Sequence, residues 1–433
     1  MSIRVADHAP EHLTLTLVPQ DEPDCFSIGI ADDRNGAVET IGTLSARKEC
    51  RKQVELFLGK GGFTAVISPS SGLRYYVLPG SRFAMDGIEL TLNGPVIASD
   101  PALQKTPQPE PNPQTHVEQA LILGAGLSTR FEPLSGEWSG YSKPAVPLAG
   151  PHSVIHHIAS HLAQHGNQRV LVNTLFKPAS LKEGLRDFEV YYLDEAIKSG
   201  TLGPLRQILK NPGAYHFDPG APMFSLYGDA VTDVDLSHLA RVHQEKNALI
   251  TFAVLPREDV EKWGISVTDR SGHDGSGYVT GFQEKPSREE AQSNLANTGI
   301  CVYAPEVYPY IEAAFQAVAA DQREQPGFEF NNTNHLFYYL VANARRIERE
   351  TGKKAMWAEE VTAYWRDIGS GEQYVETTRD IFAGKTHVTV PSNPSDYYDN
   401  GIIYWPGAKA LAQADAAQLH GNIVVALPYA ARN

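Results

Sequence analysis

Cysteine, positive charge and long apolar runs are what this 433-residue chain has least of. Its three cysteines, Cys25, Cys50 and Cys301, are scattered and odd in number, with no CxxC pair. That spacing excludes a disulfide framework and fits idle thiols in a reducing compartment. Lys and Arg number 37 against 51 Asp and Glu, a formal net charge of −14. Phosphate-rich polymers and anionic membranes would be repelled over most of such a surface, so no nucleic-acid or membrane partner is expected. A local basic pocket for a small phosphate ligand remains compatible. No apolar run approaches the roughly 18 residues that span a bilayer. The start, Met-Ser-Ile-Arg-Val-Ala-Asp-His, lacks a charged segment followed by an apolar one, so a cytoplasmic location is expected.

At roughly 100–200 residues per domain the length suggests two to four domains. Residues 104–116 contain four prolines and no apolar periodicity and read as an extended linker. Before it, residues 1–103 carry strand-like runs at Leu13–Val18, Phe63–Ile67, Tyr75–Leu78 and Ile88–Leu92, with one helix expected around Ala46–Leu58. The expectation is a small β-rich domain of unassigned role. After the linker, strands and helices alternate. Ala120–Leu123, Val170–Asn173, Met223–Tyr227 and Ala248–Val254 read as strands, and Asp235–Glu245 and the stretch after Ser153 read as helices. Such alternation marks an α/β layer on a largely parallel sheet, whose ligands sit at the carboxyl ends of the strands. Residues 386–433 break this texture. Gly401–Ala408 and Gly421–Ala426 look like one or two β-solenoid rungs, which must lean on another domain or subunit.

Gly124-Ala125-Gly126-Leu127-Ser128-Thr129-Arg130 follows a predicted strand directly. Its glycines allow close backbone approach to an anion, its hydroxyls donate, and Arg130 offers a planar fork for phosphate oxygens. A dinucleotide fingerprint would want a third glycine at Thr129 and an acid about 20 residues on. Tyr141–Gln164 contains no acid, and no Walker Gly-Lys-Ser/Thr closes the loop. Lys143, between Ser142 and Pro144, is a point charge on a stiffened segment. Asp229 ends the strand Met223–Tyr227 after Gly228, and Asp367 lies in Tyr364-Trp365-Arg366-Asp367. Two such carboxylates with substrate oxygens suit Mg2+. Asp233 and Asp235 are expected to cap the next helix or face solvent. Glu284-Lys285-Pro286 and Asn297-Thr298-Gly299 offer groups suited to sugar hydroxyls and a sugar phosphate. His157, His161 and His165 recur at helical spacing without the acid of an HExxH helix, and are expected to line a solvated face.

In order, GAGLSTRFEPL, KPAVPL, GTLGPL, YGDAVTDVDL, GFQEKP, NTGICVYAPE and YWRDIG resemble the sugar-1-phosphate nucleotidyltransferases, the nucleotide-sugar pyrophosphorylases. The resemblance covers residues 117 to about 384. It implies a Rossmann-like α/β catalytic domain at 117–385 with a mostly parallel sheet. The segment 386–433 is similar to the left-handed β-helix that several members carry. The implied reaction is Mg2+-assisted attack of a sugar 1-phosphate on the α-phosphorus of an NTP, with release of pyrophosphate. The resemblance assigns Leu123, Gly124, Ala125, Gly126, Ser128, Thr129, Gly200, Thr201, Gly203 and Gly228 to the nucleotide. It makes Arg130 and Lys143 catalytic, Asp229 and Asp367 the metal ligands, and Glu284, Lys285, Asn297 and Thr298 the sugar-phosphate contacts. A homo-oligomer is expected.

Several features depart from the family pattern. Gly136–Gly140 lengthens the span between Arg130 and Lys143 by about three residues. Leu202 and Pro204 replace alanines in the base-binding strip, and Asn331-Asn332 stands where an acid is frequent. Two other readings follow: a regulatory subunit that binds nucleotide sugar without turnover, and an enzyme using another phosphate acceptor, such as an amino-alcohol or inositol phosphate.

Overall fold

The computed structural model describes residues 2–6, 13–19, 25–32, 37–46, 53–59, 62–68, 72–85, 88–94, 117–127, 129–136, 139–270 and 275–427. The proline-rich span 104–116 lies outside these. In the N-terminal region the strands are β1 (Ser2–Ala6), β2 (Leu13–Pro19), β3 (Cys25–Asp32), β4 (Ala37–Ala46), β5 (Gln53–Gly59), β6 (Gly62–Ser68), β7 (Arg74–Val77), β8 (Arg82–Met85) and β9 (Ile88–Leu92). The helix expected around Ala46–Leu58 gives way to strand over Gln53–Gly59. Antiparallel pairing of β5 with β6 outweighs the local helical spacing.

The next strands are β10 (Gln119–Leu123), β11 (Arg169–Thr174), β12 (Val190–Asp194), β13 (Met223–Tyr227), β14 (Ala230–Thr232), β15 (Ala248–Pro256), β16 (Gly264–Thr268), β17 (Gly277–Glu284), β18 (Leu295–Tyr303), β19 (Lys354–Glu360) and β20 (Trp365–Asp367). Nine of them form one sheet in the order β12-β11-β10-β13-β18-β15-β19-β17-β16. Only β18 and β17 run against the others. The buried apolar runs of β10 and β13 suit a sheet covered on both faces. The first four strands have the Rossmann-like order 3-2-1-4, whose direction of winding switches between β10 and β13. The crevice at the carboxyl ends of that pair is therefore the expected ligand position.

Four helices border this half. They are α1 (Val154–Gln164), α2 (Pro178–Gly184), α3 (Gly203–Lys210) and α4 (Leu236–Lys246). The side chains of Ser153 and Asp235 cap α1 and α4 by accepting from His156 N and His238 N. Val154, Ile155, Ile158, Ala159 and Leu162 bury the apolar stripe of α1. Its histidines do not line a solvated face as expected. His157 bonds the Leu148 carbonyl, His161 the Val234 carbonyl and His165 the Ser237 hydroxyl. They satisfy polar groups of the segments packed on α1. Asp233 is also buried, and it accepts from the His387 amide.

The C-terminal segment differs from the expected β-helix. Its strands are β21 (Tyr398–Asp399), β22 (Ile402–Tyr404), β23 (Gln418–His420) and β24 (Ile423–Ala426), with a helix at Ala408–Ala414. β22 and β24 pair in parallel, as rungs would, but β24 pairs antiparallel with β7 on its other edge. β23 likewise pairs antiparallel with β8. Segments near the two ends of the chain thus share two sheets, and the apolar faces are covered within the chain. The two-residue alternation of a strand divides them between two cores. Tyr75, Val77, Ile402, Ile423 and Val425 face one core with Phe83 and Leu90. Tyr76, Leu78, Ile403, Val424 and Ala426 face the other, with Phe131, Leu134 and Tyr374 of the α/β region.

Candidate active site

β10 and β13 end side by side, Leu123 opposite Tyr227. Beyond them the chain turns at two glycines where a side chain would crowd neighbouring backbone. A Cβ on Gly228 would lie 2.9 Å from the Leu123 carbonyl oxygen, and one on Gly124 equally close to the Asn173 carbonyl oxygen. Gly124 N donates to Asn173 Oδ1 at 2.8 Å, and Gly228 N donates to Leu123 O at 2.9 Å. Ala125 is buried, whereas Gly126, Thr129 and Arg130 are exposed. The turn therefore opens toward solvent at the end where Arg130 stands. Ser128 lies outside the described residues.

β14 leads directly away from Asp229 and forms a two-stranded antiparallel ribbon with β20. Ala230 is the register partner of Asp367, and Ile368 N donates to Asp229 O at 2.9 Å. This ribbon joins positions 138 residues apart and sets two carboxylates together. Lys143 comes from the other side. Its side chain is buried, with Nζ 2.6 Å from Asp229 Oδ2 and 3.6 Å from Asp367 Oδ1. Ser142 N donates to the Ser180 hydroxyl at 2.9 Å, and the turn Lys143–Ala145 is closed by the Ser142 carbonyl. The approach of the lysine is thereby fixed by backbone rather than by a flexible tether.

Electrostatics agree with this geometry. Burial pushes the Asp367 carboxyl up, and the neighbouring Asp229 charge adds to the effect, while Lys143 and Arg130 oppose it. Burial acts to lower the Lys143 ammonium, but the two aspartates outweigh it and hold it above its ordinary value. Arg130 is thus within electrostatic reach of both groups. The Tyr227 phenol is pushed up by burial first, then by Cys301, Asp229, Asp367 and Glu284.

A hydrogen-bonded chain leads from the glycine turn to the Gly200–Gly203 strip. Asn173 Nδ2 donates to Glu195 Oε2 at 2.6 Å, and the Ser199 hydroxyl donates to Glu195 Oε1. Gly200, at φ +89°, presses against the backbone of Phe330. Thr201 N donates to Asn331 Oδ1 at 2.9 Å, and Asn332 N donates to the Thr201 hydroxyl at 2.9 Å. Gly203 begins α3 against the Ser199 side chain. Asn173, Glu195 and Ser199 escaped the sequence reading. A polar residue closing the apolar run Val170–Val172 was the one available signal.

The remaining predicted residues lie on β17 and β18. Asn297 pairs with Val254, and Thr298, Gly299 and Ile300 form a β-bulge opposite Ala253. Asn297 Oδ1 accepts from Gly299 N at 2.9 Å, and the buried Thr298 hydroxyl donates to the Ala253 carbonyl at 2.8 Å. Gly299, at φ +77°, leaves room for the Tyr227 ring. Glu284 and Lys285 are exposed and 3.8 Å apart. Lys285 occupies the left-handed region at φ +47°, held by a bond from its amide to the Trp263 carbonyl. Lys143, Asp229 and Asp367 are in contact, whereas Lys285 joins them through no described bond.

The chain is similar to curated sugar-1-phosphate nucleotidyltransferases. A UTP–glucose-1-phosphate uridylyltransferase of Synechocystis sp. is 29% identical over 282 residues, covering 61% of this chain and 63% of its own. A glucose-1-phosphate adenylyltransferase of Desulfitobacterium hafniense is 24% identical over 278 residues, covering 60% and 63%. One from Thermotoga maritima is 25% identical over 334 residues, covering 70% and 71%. The chain thus spans less than two thirds of the length of the first two. The family model described as nucleotidyl transferase matches residues 119–384, the stretch holding the glycine turn, Lys143, both aspartates and the Gly200–Gly203 strip. The chain belongs to the nucleotidyl transferase family.

Proposed function

We propose that this protein is a sugar-1-phosphate nucleotidyltransferase acting in the cytoplasm, converting an NTP and a sugar 1-phosphate to an NDP-sugar and pyrophosphate. The observation that carries this reading is the Lys143–Asp229–Asp367 cluster at the carboxyl ends of β10 and β13. The activities for which the relatives are named support it.

A phosphate oxygen of the sugar 1-phosphate attacks the α-phosphorus, and a new P–O bond forms. The bond from that phosphorus to the bridging oxygen breaks, and pyrophosphate leaves with the electron pair. No covalent enzyme intermediate is required, so the protein supplies positioning and charge. The backbone of Gly124–Gly126 and the Thr129 hydroxyl cradle phosphates, and Arg130 balances charge on the leaving group. Lys143, on its fixed segment, faces the α-phosphate. The Gly200–Gly203 strip, braced by Asn331 and by the Asn173–Glu195–Ser199 chain, receives the base and ribose. Glu284, Lys285 and Asn297 take the sugar phosphate, with Thr298 fixing the bulge beneath them.

The all-oxygen donor pair Asp229 and Asp367 fits Mg2+. The raised Asp367 carboxyl marks a second anion held at a cost that a cation relieves. When bound there, Mg2+ would neutralise phosphate charge.

A pyrophosphate-release assay across the four NTPs and a panel of sugar 1-phosphates tests the proposal. Release that needs both substrates supports it. Silence across the panel, with nucleotide sugar still bound, would favour a regulatory subunit. Release only with amino-alcohol or inositol phosphates would change the acceptor.

A further inference from the structure

We propose that His152, His156 and Asp187 form a binding site for a borderline divalent cation of the Zn2+ class, separate from Asp229 and Asp367. These residues each offer one ligand atom, and the three atoms lie within 4.8 Å of one another. His152 precedes the cap of α1, His156 sits in its first turn, and Asp187 follows α2. The His152 and His156 rings stack with centroids 3.8 Å apart. His156 Nδ1 is 4.0 Å from Asp187 Oδ2.

Each of the two imidazoles offers a ring nitrogen as a ligand atom. Asp187 has two oxygens with different neighbours. Arg186 Nε lies 3.7 Å from Oδ1, while Oδ2 faces His156. A tetrahedral ion with bonds near 2.0–2.1 Å holds its ligand atoms roughly 3.4 Å apart. Closing from the present spacing needs only side-chain rotation, and His152 and Asp187 are exposed. Two nitrogens and one carboxylate oxygen select Zn2+ over Mg2+.

The site would join the turn after Lys143 to α2. Leu148 N donates to the His152 carbonyl, and α2 already holds Ser142 through Ser180. An ion here would pin both flanks of the lysine-bearing segment.

The experiment is calorimetric titration of the full chain with Zn2+, with Co2+ as an optical probe. One saturable equivalent is expected, with the visible bands of a nitrogen-containing tetrahedral Co2+ site and a raised melting temperature. His152→Asn or His156→Asn should weaken binding about 10-fold or more, and Asp187→Asn by a smaller factor. The exposed His152 and Asp187 variants keep the test decisive should His156→Asn misfold. No saturable binding would overturn the proposal. So would binding that survives all three variants, or that disappears in His161→Asn or Asp229→Asn.

Discussion

Ala230 stands opposite Asp367 across the β14–β20 ribbon, and this single register brings the Asp367 carboxylate to the one on Asp229. A slip by one residue would turn the side chain to the other face of the ribbon. The carboxylate pair therefore depends on strand pairing as much as on residue identity.

Asp229→Asn removes one anion and keeps the shape. Turnover should fall by about 100-fold or more, comparable to the loss of one electrostatic group in other active sites. The circular dichroism melt should remain cooperative. Unchanged pyrophosphate release would remove Asp229 from the reaction.

Lys143→Met deletes the ammonium shared by two carboxylates. The variant should gain more thermal stability from added Mg2+ than the parent does, because the ion then supplies the missing counter-charge. Equal gains, read by differential scanning fluorimetry, would argue that the aspartates are not the ion's ligands.

Asn173→Ala leaves Gly124 N without its acceptor and Glu195 Oε2 without its Asn173 donor. A buried unsatisfied donor costs about 1–3 kcal/mol. KM for the NTP should rise more than KM for the sugar 1-phosphate. The reverse pattern, in steady-state kinetics with both substrates varied, would detach this chain of bonds from the nucleotide.

Gly299→Ala places a methyl group against the Tyr227 ring at a positive φ. A loss of at least about 1 kcal/mol is expected from the backbone conformation alone. Urea unfolding measures it. A neutral result would mean that the ring moves freely.

Burial holds His161 and His243 neutral, with pKa values lowered to about 4. Their unfolded values lie near 6.5, so between about 6.5 and 4 the unfolded chain binds more protons. The stability they permit is full above about 6.5 and is lost as pH falls toward about 4, at up to about 1.4 kcal/mol per unit for each group. His243→Gln, which keeps a partner for Thr251, should flatten that slope in pH-dependent melts.

Local chemistry was legible where one short stretch carries it. The glycine turn after β10, Asp229 after β13 and the caps Ser153 and Asp235 depend on neighbours in sequence, and each was read from them. The β14–β20 ribbon was not legible, because three-residue strands have no periodicity to display. The Asn173–Glu195–Ser199 chain was hidden for a similar reason: each residue is an ordinary polar group until the fold joins them. Asn297-Thr298-Gly299 reads as ligand chemistry, yet the backbone also uses Thr298 and Gly299 to build a bulge. The apolar pieces at 402–404 and 423–426 were visible, but not the pairing of 423–426 with 74–77, because strand pairing across more than 300 residues leaves no local trace.

That pairing has a temporal consequence. A ribosome delivers Tyr75, Val77 and Phe83 long before Ile402, Ile423 and Val425, which complete their core. During synthesis the early strands present an open edge beside β7 until the final β24 arrives to occupy it. A premature stop before residue 423 would leave that edge of β7 without its β24 partner.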